Sequence, residues 1–500
     1  MAVFFYSFNV KIISMKLKHI VLPLLMLFIS SCSTNVSNDS NTNSSSTNTN
    51  NVEPGTPSNP SDPSSDNNNL SLLNPMNEPL IHNQLYLNHV GDIYNTWKSY
   101  QGKGTTIAII DTEFKANHED FTFEDGTSKI HPDSCVLHTS GNTTMTDPLN
   151  LSKNVGNSHG TMCAGIAAAG INNKGIIGIA PLAKLMLLET DAKPKTINAA
   201  FRYAADHGAT VISISLGAYN NSITNKVVPY PDGDLYDDGT NDFYKCFDDA
   251  VSYCRNKNVP VISAAGNGNE GGNAEQAVTF TYPGASIGVI GVGGLAFNSS
   301  TERWDGSSYN PDNVNRFCDV FAPSEWMYTT VCHSGLKYGA LDDNYKGTSF
   351  AAPIVAGMAA LYFEKNPNNT VDQFEHDLYQ SSVALGTNAT RYQFGYGRVD
   401  VGALLGTTLT GNTEIKLINT GDLNVYMWNS RTGAEQSAWP GQAVSSLTFN
   451  VNSSQFDSII FNAGDSVKSP DILISSFVYG NSYDLDDNHL FNSLYVGKYK

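Results

Sequence analysis

Five hundred residues exceed what one hydrophobic core organises, so the chain should hold two folded parts plus accessory segments. Hydrophobic residues make up 40% and charged residues 15%, the balance of a globular protein, and the formal net charge is −18. That charge, with no compensating basic patch, excludes a nucleic-acid partner, because a phosphate polymer would be repelled.

In chain order, Lys16 and Lys18 precede an apolar run from Ile20 to Ile29. The run is too short for a spanning helix, which needs about 20 apolar residues, and has the make-up of a signal peptide. It ends in Ile29-Ser30-Ser31-Cys32, which resembles the bacterial lipobox. The resemblance implies a lipoprotein signal peptide over 1–31, diacylation at Cys32, and a protein exported and lipid-anchored at the bacterial cell envelope. Met15-Lys16-Leu17-Lys18 makes a compact charged start of its own. Residues 33–69 are almost entirely Ser, Thr, Asn, Asp and Pro, so 32–69 reads as a disordered tether that cannot bury enough apolar surface to offset chain entropy.

Residues 70–407 alternate buried strands with helices. Thr105–Ile110, Leu185–Leu188, Val211–Ser215 and Val259–Ser263 are short apolar runs, as in strands covered on both faces. Helical stretches such as Ile197–His207 and Cys246–Lys257 separate them. This is an α/β pattern with a mostly parallel sheet, in which functional residues gather at the carboxyl ends of strands. Residues 408–500 change character. Helical periodicity stops, and Glu414–Asn419, Leu423–Trp428, Val444–Val451 and Ser458–Phe461 are candidate strands of a small β-sandwich.

Three segments concentrate the chemistry. Asp111 ends a buried strand, His159 opens a helix in Ser158-His159-Gly160-Thr161, and Ser349 opens another in Gly347-Thr348-Ser349-Phe350-Ala351-Ala352. A serine hydroxyl becomes a good nucleophile when a neutral imidazole takes its proton, and a carboxylate holds that imidazole in the right tautomer. Small residues beside His159 and Ser349 let two helix starts approach each other. Asn267, after the strand ending in Ser263-Ala264-Ala265-Gly266, can donate to the developing oxyanion together with the Ser349 N–H.

These segments, in the order Asp, His, Asn, Ser, resemble the subtilisin-like (subtilase, S8) serine proteases over about residues 80–406. The resemblance implies a three-layer α/β domain around a seven-stranded parallel sheet, and a serine endopeptidase acting through an acyl-enzyme on polypeptide substrates outside the cell. It implies that Ser215-Leu216-Gly217 pairs with the substrate backbone. By the same likeness Tyr282-Pro283 underlies the first specificity pocket, with Thr281 as its floor. With no carboxylate there, apolar or aromatic residues are expected before the cleaved bond. Glu113 departs from the pattern: the family usually has Gly two residues after the Asp, and a side chain there is expected to crowd the strand end or alter the local field. Ser324 stands where Gly is common. No stretch before Leu80 is long enough for the usual inhibitory propeptide. The alternative function is a catalytically silent glycan-binding surface protein that keeps the subtilase domain as scaffold.

No cofactor is required for this chemistry, but subtilases commonly bind stabilising calcium. Asp232, Asp234 and Asp237, with Asp238 and Asp242, are either oxygen ligands for Ca²⁺ or a solvated acidic loop; their spacing matches no standard calcium loop. Of the six cysteines after Cys32, Cys318 and Cys332 flank a short apolar segment and are the expected disulfide. Cys246 and Cys254 lie eight residues apart on one helix, about 12 Å of rise and too far to bridge. Cys163, one turn after His159, reads as a small buried hydrophobe, with a redox or mercury-sensitive role as the alternative. In the C-terminal part, Val425-Tyr426-Met427-Trp428, Trp439-Pro440-Gly441 and Ser458–Asn462 resemble the family 26 starch-binding modules. The resemblance implies a platform of Tyr426 and Trp439 for a starch-like α-glucan. A retained spacer with both aromatics in its core is the other reading.

Overall fold

The structure is a computed structural model. It describes residues 71–483 except 141–142, 152, 154, 157, 220–244, 269–276, 279–280, 298, 312–316, 340–344, 388–389, 418–422, 464–467, 470 and 480–481. Cys32, the tether and Asp232, Asp234, Asp237, Asp238 and Asp242 lie outside the described residues.

Strands β1 (Thr106–Asp111), β2 (Cys135–Ser140), β3 (Thr143–Pro148), β4 (Lys184–Thr190), β5 (Val211–Ile214), β6 (Ala218–Tyr219), β7 (Val261–Ala264), β8 (Thr281–Tyr282), β9 (Val289–Leu295) and β10 (Val320–Pro323) follow in chain order. Eight of them form one sheet, ordered β10-β9-β7-β5-β1-β4-β2-β3. All neighbours run parallel except β2 and β3, whose hairpin adds an antiparallel edge. The expected seven parallel strands are therefore present, and the polar insertion after Asp111 supplies an eighth.

The strands are apolar throughout because both faces are covered. In β1, Ile107 and Ile109 pack into one core with the helices His159–Ala168 and Thr348–Lys365. Ala108 and Ile110 face the other core, with the helices Pro194–Asp206 and Lys245–Asn256. The side-chain alternation of a strand thus divides one sequence run between two layers. Ahead of β1, the turns at Pro75–Asn77, Ile81–Asn83 and Leu85–His89 fold onto the domain, with Ile81 and Leu87 in the core. Among the described residues no helix is long and apolar enough to cross a membrane.

From Asn412 the chain is β-rich: β11 (Asn412–Leu417), β12 (Asn424–Trp428), β13 (Gln442–Ala443), β14 (Thr448–Asn452), β15 (Ser458–Asn462), β16 (Ile472–Leu473) and β17 (Ser482–Tyr483). They make a three-stranded and a four-stranded sheet around a core of Ile415, Val425, Met427, Val451, Ile459 and Phe461. This region is bolted to the α/β part. Arg398 is 1% exposed and donates from Nη2 to Ser430 Oγ at 3.0 Å. Arg431 pairs with Asp400 at 2.5 Å, and Leu409 N–H donates to Asp92 Oδ2 at 3.0 Å.

The cysteines differ from expectation. Cys318 and Cys332 are not joined in a disulfide. Cys318 is fully buried at the foot of β10, its Sγ donating to Ser308 O at 3.4 Å, whereas Cys332 lies beyond the far end of that strand beside Ser158.

Candidate active site

Asp111 ends β1 at the carboxyl edge of the sheet and is 0% exposed. Its Oδ1 accepts the Thr112 N–H at 2.8 Å, and its Oδ2 accepts from His159 Nδ1 at 2.8 Å. That bond fixes the imidazole with Nδ1–H toward the carboxylate and Nε2 toward the cleft. Burial works against a charged imidazole, but the charge and hydrogen bond of Asp111 outweigh it and hold the pKa of His159 above the ordinary histidine value. Gly160 permits the approach: a Cβ there would lie 2.5 Å from Glu113 O and 2.8 Å from Asp111 Cβ.

Ser349 is the second residue of the helix Thr348–Lys365, which starts where Gly347 takes φ 143°. Its Oγ lies 3.5 Å from Ser215 O, and its carbonyl accepts the Ser215 hydroxyl at 2.7 Å. Asn267 is oriented by the same helix start, since its Oδ1 accepts Thr348 N–H at 2.9 Å and Thr348 Oγ1 at 2.8 Å. With the oxygen so engaged, Nδ2 is left to face outward. A Cβ placed on Gly347 would meet Asn267 Nδ2 at 3.2 Å and Ser349 N at 3.8 Å, so two N–H donors flank one small space.

Ser215, Leu216, Gly217, Ala264, Gly266, Asn267, Thr281, Thr348 and Ser349 line a crevice beside that space. None of them is charged. Thr281 is 3% exposed at the start of β8, and a Cβ on Gly266 would come within 2.5 Å of its Oγ1. Cys163 lies beneath, fully buried, with its Sγ donating to Ser349 O at 3.4 Å, and burial pushes its thiol well up. It is a packed small residue, as the sequence suggests.

Glu113 neither crowds the strand end nor points at His159. Its carboxylate turns to the inserted segment, where Oε2 accepts Gly156 N–H at 3.1 Å and Oε1 lies 3.5 Å from Lys153 Nζ. Lys153 also pairs with Glu189 at 2.7 Å. Ser324 takes its place without strain, its hydroxyl donating to Leu295 O at 3.0 Å.

A second group escaped the sequence reading. Asp120 Oδ1 and Asn172 Oδ1 are buried without a hydrogen-bond partner among the described residues. Beside them the Glu78 carboxylate accepts N–H groups of Asn172, Asn173, Lys174 and Gly175. Burial pushes Asp120 up to about 7 and raises Glu78 as well. The unused Asp120 and Asn172 oxygens have the hard-donor chemistry that Ca²⁺ takes, while the Glu78 carboxylate beside them is already held by its four N–H groups.

In the C-terminal region, Tyr426 and Trp428 point outward from β12 while Val425 and Met427 fill the core. The ring of Tyr426 is 5.5 Å from Trp428 and 5.4 Å from Trp439, which is 37% exposed. The aromatics are therefore a surface group and not core. Trp428 is a third member that the in-and-out alternation of β12 could have shown.

The profile of the subtilase family, peptidase S8, matches residues 102–397. The chain is 33% identical to thermitase of Thermoactinomyces vulgaris over 274 residues, which cover 53% of this chain and 77% of that relative. It is 28% identical to fervidolysin of Fervidobacterium pennivorans over 350 residues, 65% of this chain but only 44% of the relative's length. The solved structure of the epidermin leader peptide processing serine protease of Staphylococcus aureus shares the fold. The TM-score is 0.51 at 22% identity, covering 66% of this chain and 81% of that one.

Proposed function

The chain belongs to the subtilase family of serine proteases, and from that premise we propose that it is a serine endopeptidase with Ser349 as nucleophile, His159 as general base and Asp111 as the group that orients it. The observation that carries the reading is the 2.8 Å bond from His159 Nδ1 to the buried Asp111 carboxylate. The Ser349 proton passes to His159 Nε2 as Oγ bonds the scissile carbonyl carbon. Asn267 Nδ2–H and Ser349 N–H receive the anionic oxygen. His159 then hands its proton to the departing amine, and water cleaves the acyl-enzyme by the same route. Ser215-Leu216-Gly217 pairs with the substrate backbone, and the uncharged crevice over Thr281 takes an apolar or aromatic side chain. A cleavage profile dominated by Arg and Lys would reject that pocket assignment.

The test is fluorophosphonate labelling with casein hydrolysis. Wild type should label and cleave, and Ser349→Ala should do neither. An unlabelled wild type would favour the catalytically silent glycan binder instead. Export and anchoring rest on the lipobox at Cys32. Incorporation of a fatty-acid analogue that survives Cys32→Ser would reject the lipid. Structural calcium at Asp120 and Asn172 would add rigidity and no chemistry.

Binding of a starch-like α-glucan is a second reading for the C-terminal region. It is favoured by the outward group of Tyr426, Trp428 and Trp439, since flat exposed rings stack on sugars. Retention of the full chain on insoluble starch, lost in Trp439→Ala, is the expected result; equal retention of both would sink it.

A further inference from the structure

Cys332 takes no part in the chemistry above, yet its thiol lies against the residue that precedes His159. Sγ is 3.2 Å from Ser158 Oγ, and that hydroxyl is 2.8 Å from Nδ1 of His333. The Cys332 N–H donates to the same oxygen at 2.9 Å. On its far side the His333 ring stacks on Tyr345, whose hydroxyl is 3.3 Å from Nε2. Ser158 is buried, while Cys332 and His333 are half-exposed. The setting differs from that of three other described thiols. Cys163, Cys254 and Cys318 are buried and donate to backbone carbonyls, and burial pushes all three up.

We propose that Cys332, Ser158 and His333 form a thiol modification site for low-molecular-weight disulfides, and that its occupation switches off His159. The switch rests on the assignment of His159 as general base. The thiol proton passes to Ser158 Oγ as the Ser158 proton passes to His333 Nδ1. This leaves a thiolate facing the Ser158 O–H, and an imidazolium whose Nε2–H faces Tyr345. The thiolate attacks one sulfur of the disulfide; that S–S bond breaks, and a Cys332 mixed disulfide forms. The departing thiolate takes a proton from solvent, to which the imidazolium returns its own. One thiol and one disulfide enter, one mixed disulfide and one thiol leave, with no net oxidation.

The consequence follows from packing. Cys332 Sγ also contacts Thr161 Oγ1 at 3.8 Å, so it touches both neighbours of the His159-Gly160 pair. Thr329 and Thr330 tie the same segment to the helix, donating to Met162 O at 3.0 Å and Thr161 O at 2.7 Å. A bulky group added at Sγ presses on that first turn through the contacts to Ser158 and Thr161, and packed contacts transmit the displacement. Displacement of the imidazole by about 1 Å suffices to cost on the order of 10²-fold in rate.

The test uses the full chain with excess oxidised glutathione under native conditions. Peptide mass spectrometry locates the adduct, while peptide hydrolysis and fluorophosphonate labelling run in parallel. The expected adduct forms first on Cys332, hydrolysis falls at least about tenfold in step with it, and dithiothreitol restores both. Cys332→Ser should keep its hydrolysis and ignore the disulfide. His333→Gln should slow adduct formation by about tenfold. An adduct on Cys332 that leaves hydrolysis unchanged, a Cys332 that stays unmodified, or inactivation that persists in Cys332→Ser would each overturn the proposal. An unmodified protein that neither labels nor cleaves would overturn the catalytic assignment and the switch with it. Mass spectrometry would still report the thiol's reactivity separately.

Discussion

The Glu113 carboxylate spans from Lys153 Nζ, at 3.5 Å, to the Gly156 N–H, at 3.1 Å, and so fastens the inserted segment three residues before His159. The pair is about a third exposed, so its charge attraction alone is worth under about 1 kcal/mol. The hydrogen bond to a charged acceptor adds about 1.5–3 kcal/mol. Glu113→Gly should therefore lower stability by about 1–3 kcal/mol and reduce kcat/KM by up to about tenfold. Glu113→Gln, which keeps an acceptor for Gly156, should recover most of the rate. Melting curves and steady-state kinetics on both variants decide this; a Gly variant as active and stable as wild type would refute it.

The raised pKa of His159 sets the acid limb of the pH profile. Catalysis needs the neutral imidazole, so activity is lost as pH falls through the folded-state value, which lies above 6.5. The stability from the protonated pair has the opposite sign: it is present in full below 6.5 and fades as pH rises through that raised value. Asp111→Asn should move the acid limb down and lower kcat by about 10⁴-fold. A kcat/KM profile with its acid midpoint below 6.5 in wild type would contradict the Asp111–His159 coupling.

Asn267→Ala removes one of the two donors above Gly347. A subtilisin that loses its oxyanion asparagine loses about 10²–10³ in kcat, and the same loss is expected here with KM nearly unchanged. A rise in KM at constant kcat would mean that Asn267 only holds Thr348.

For the cation site, Ca²⁺ should raise the melting temperature and a chelator should lower it. At a calcium concentration 100 times Kd the gain is about 2.7 kcal/mol. Asp120→Asn should erase the difference. It should also stabilise the metal-free protein, because it removes a carboxylate that burial pushes up to about 7. Identical melting in calcium and chelator would discard the site.

Asp92 lies under the seam with the β-rich region. Burial, helped by the charges of Asp400 and Asp457 and opposed by the Leu409 N–H, pushes it up to about 6. The folded state then holds the extra proton, so stability falls as pH rises from about 4 to about 6 and levels off above that. Asp92→Asn should raise stability by about 1–3 kcal/mol at pH 8 and change little at pH 4. Denaturant melts at the two pH values read this directly, and equal shifts at both would contradict it.

Much of the α/β architecture was legible because strands buried on both faces are unbroken apolar runs. Asp111, His159, Asn267 and Ser349 could be singled out as candidates because each stands at an element's edge beside small residues, and the proposed roles rest on their common place at one edge of the sheet. What stayed hidden depends on partners distant in sequence. The edge strand β3 is exposed and threonine-rich, so it carries no hydrophobic signature. Glu113 finds Lys153 across the inserted segment, and Arg398 finds Ser430 across the seam. The Cys318–Cys332 pairing failed because flanking an apolar run says only that two residues are near in sequence; that run is a strand with its ends apart.

The seam at Arg398 also bears on timing. Until Ser430, Arg431 and Leu409 arrive, Arg398, Asp400 and Asp92 lack the contacts that these residues supply. A chain stopped near residue 407 would keep the mutual attraction of Arg398 and Asp400 but lose the contacts across the seam. The seam face of the α/β part would therefore settle fully only after the β-rich region has been synthesised and docked. A half-made chain would then be less stable than the finished one, and a cell that makes it would have a delay between translating Ser349 and completing the fold around it.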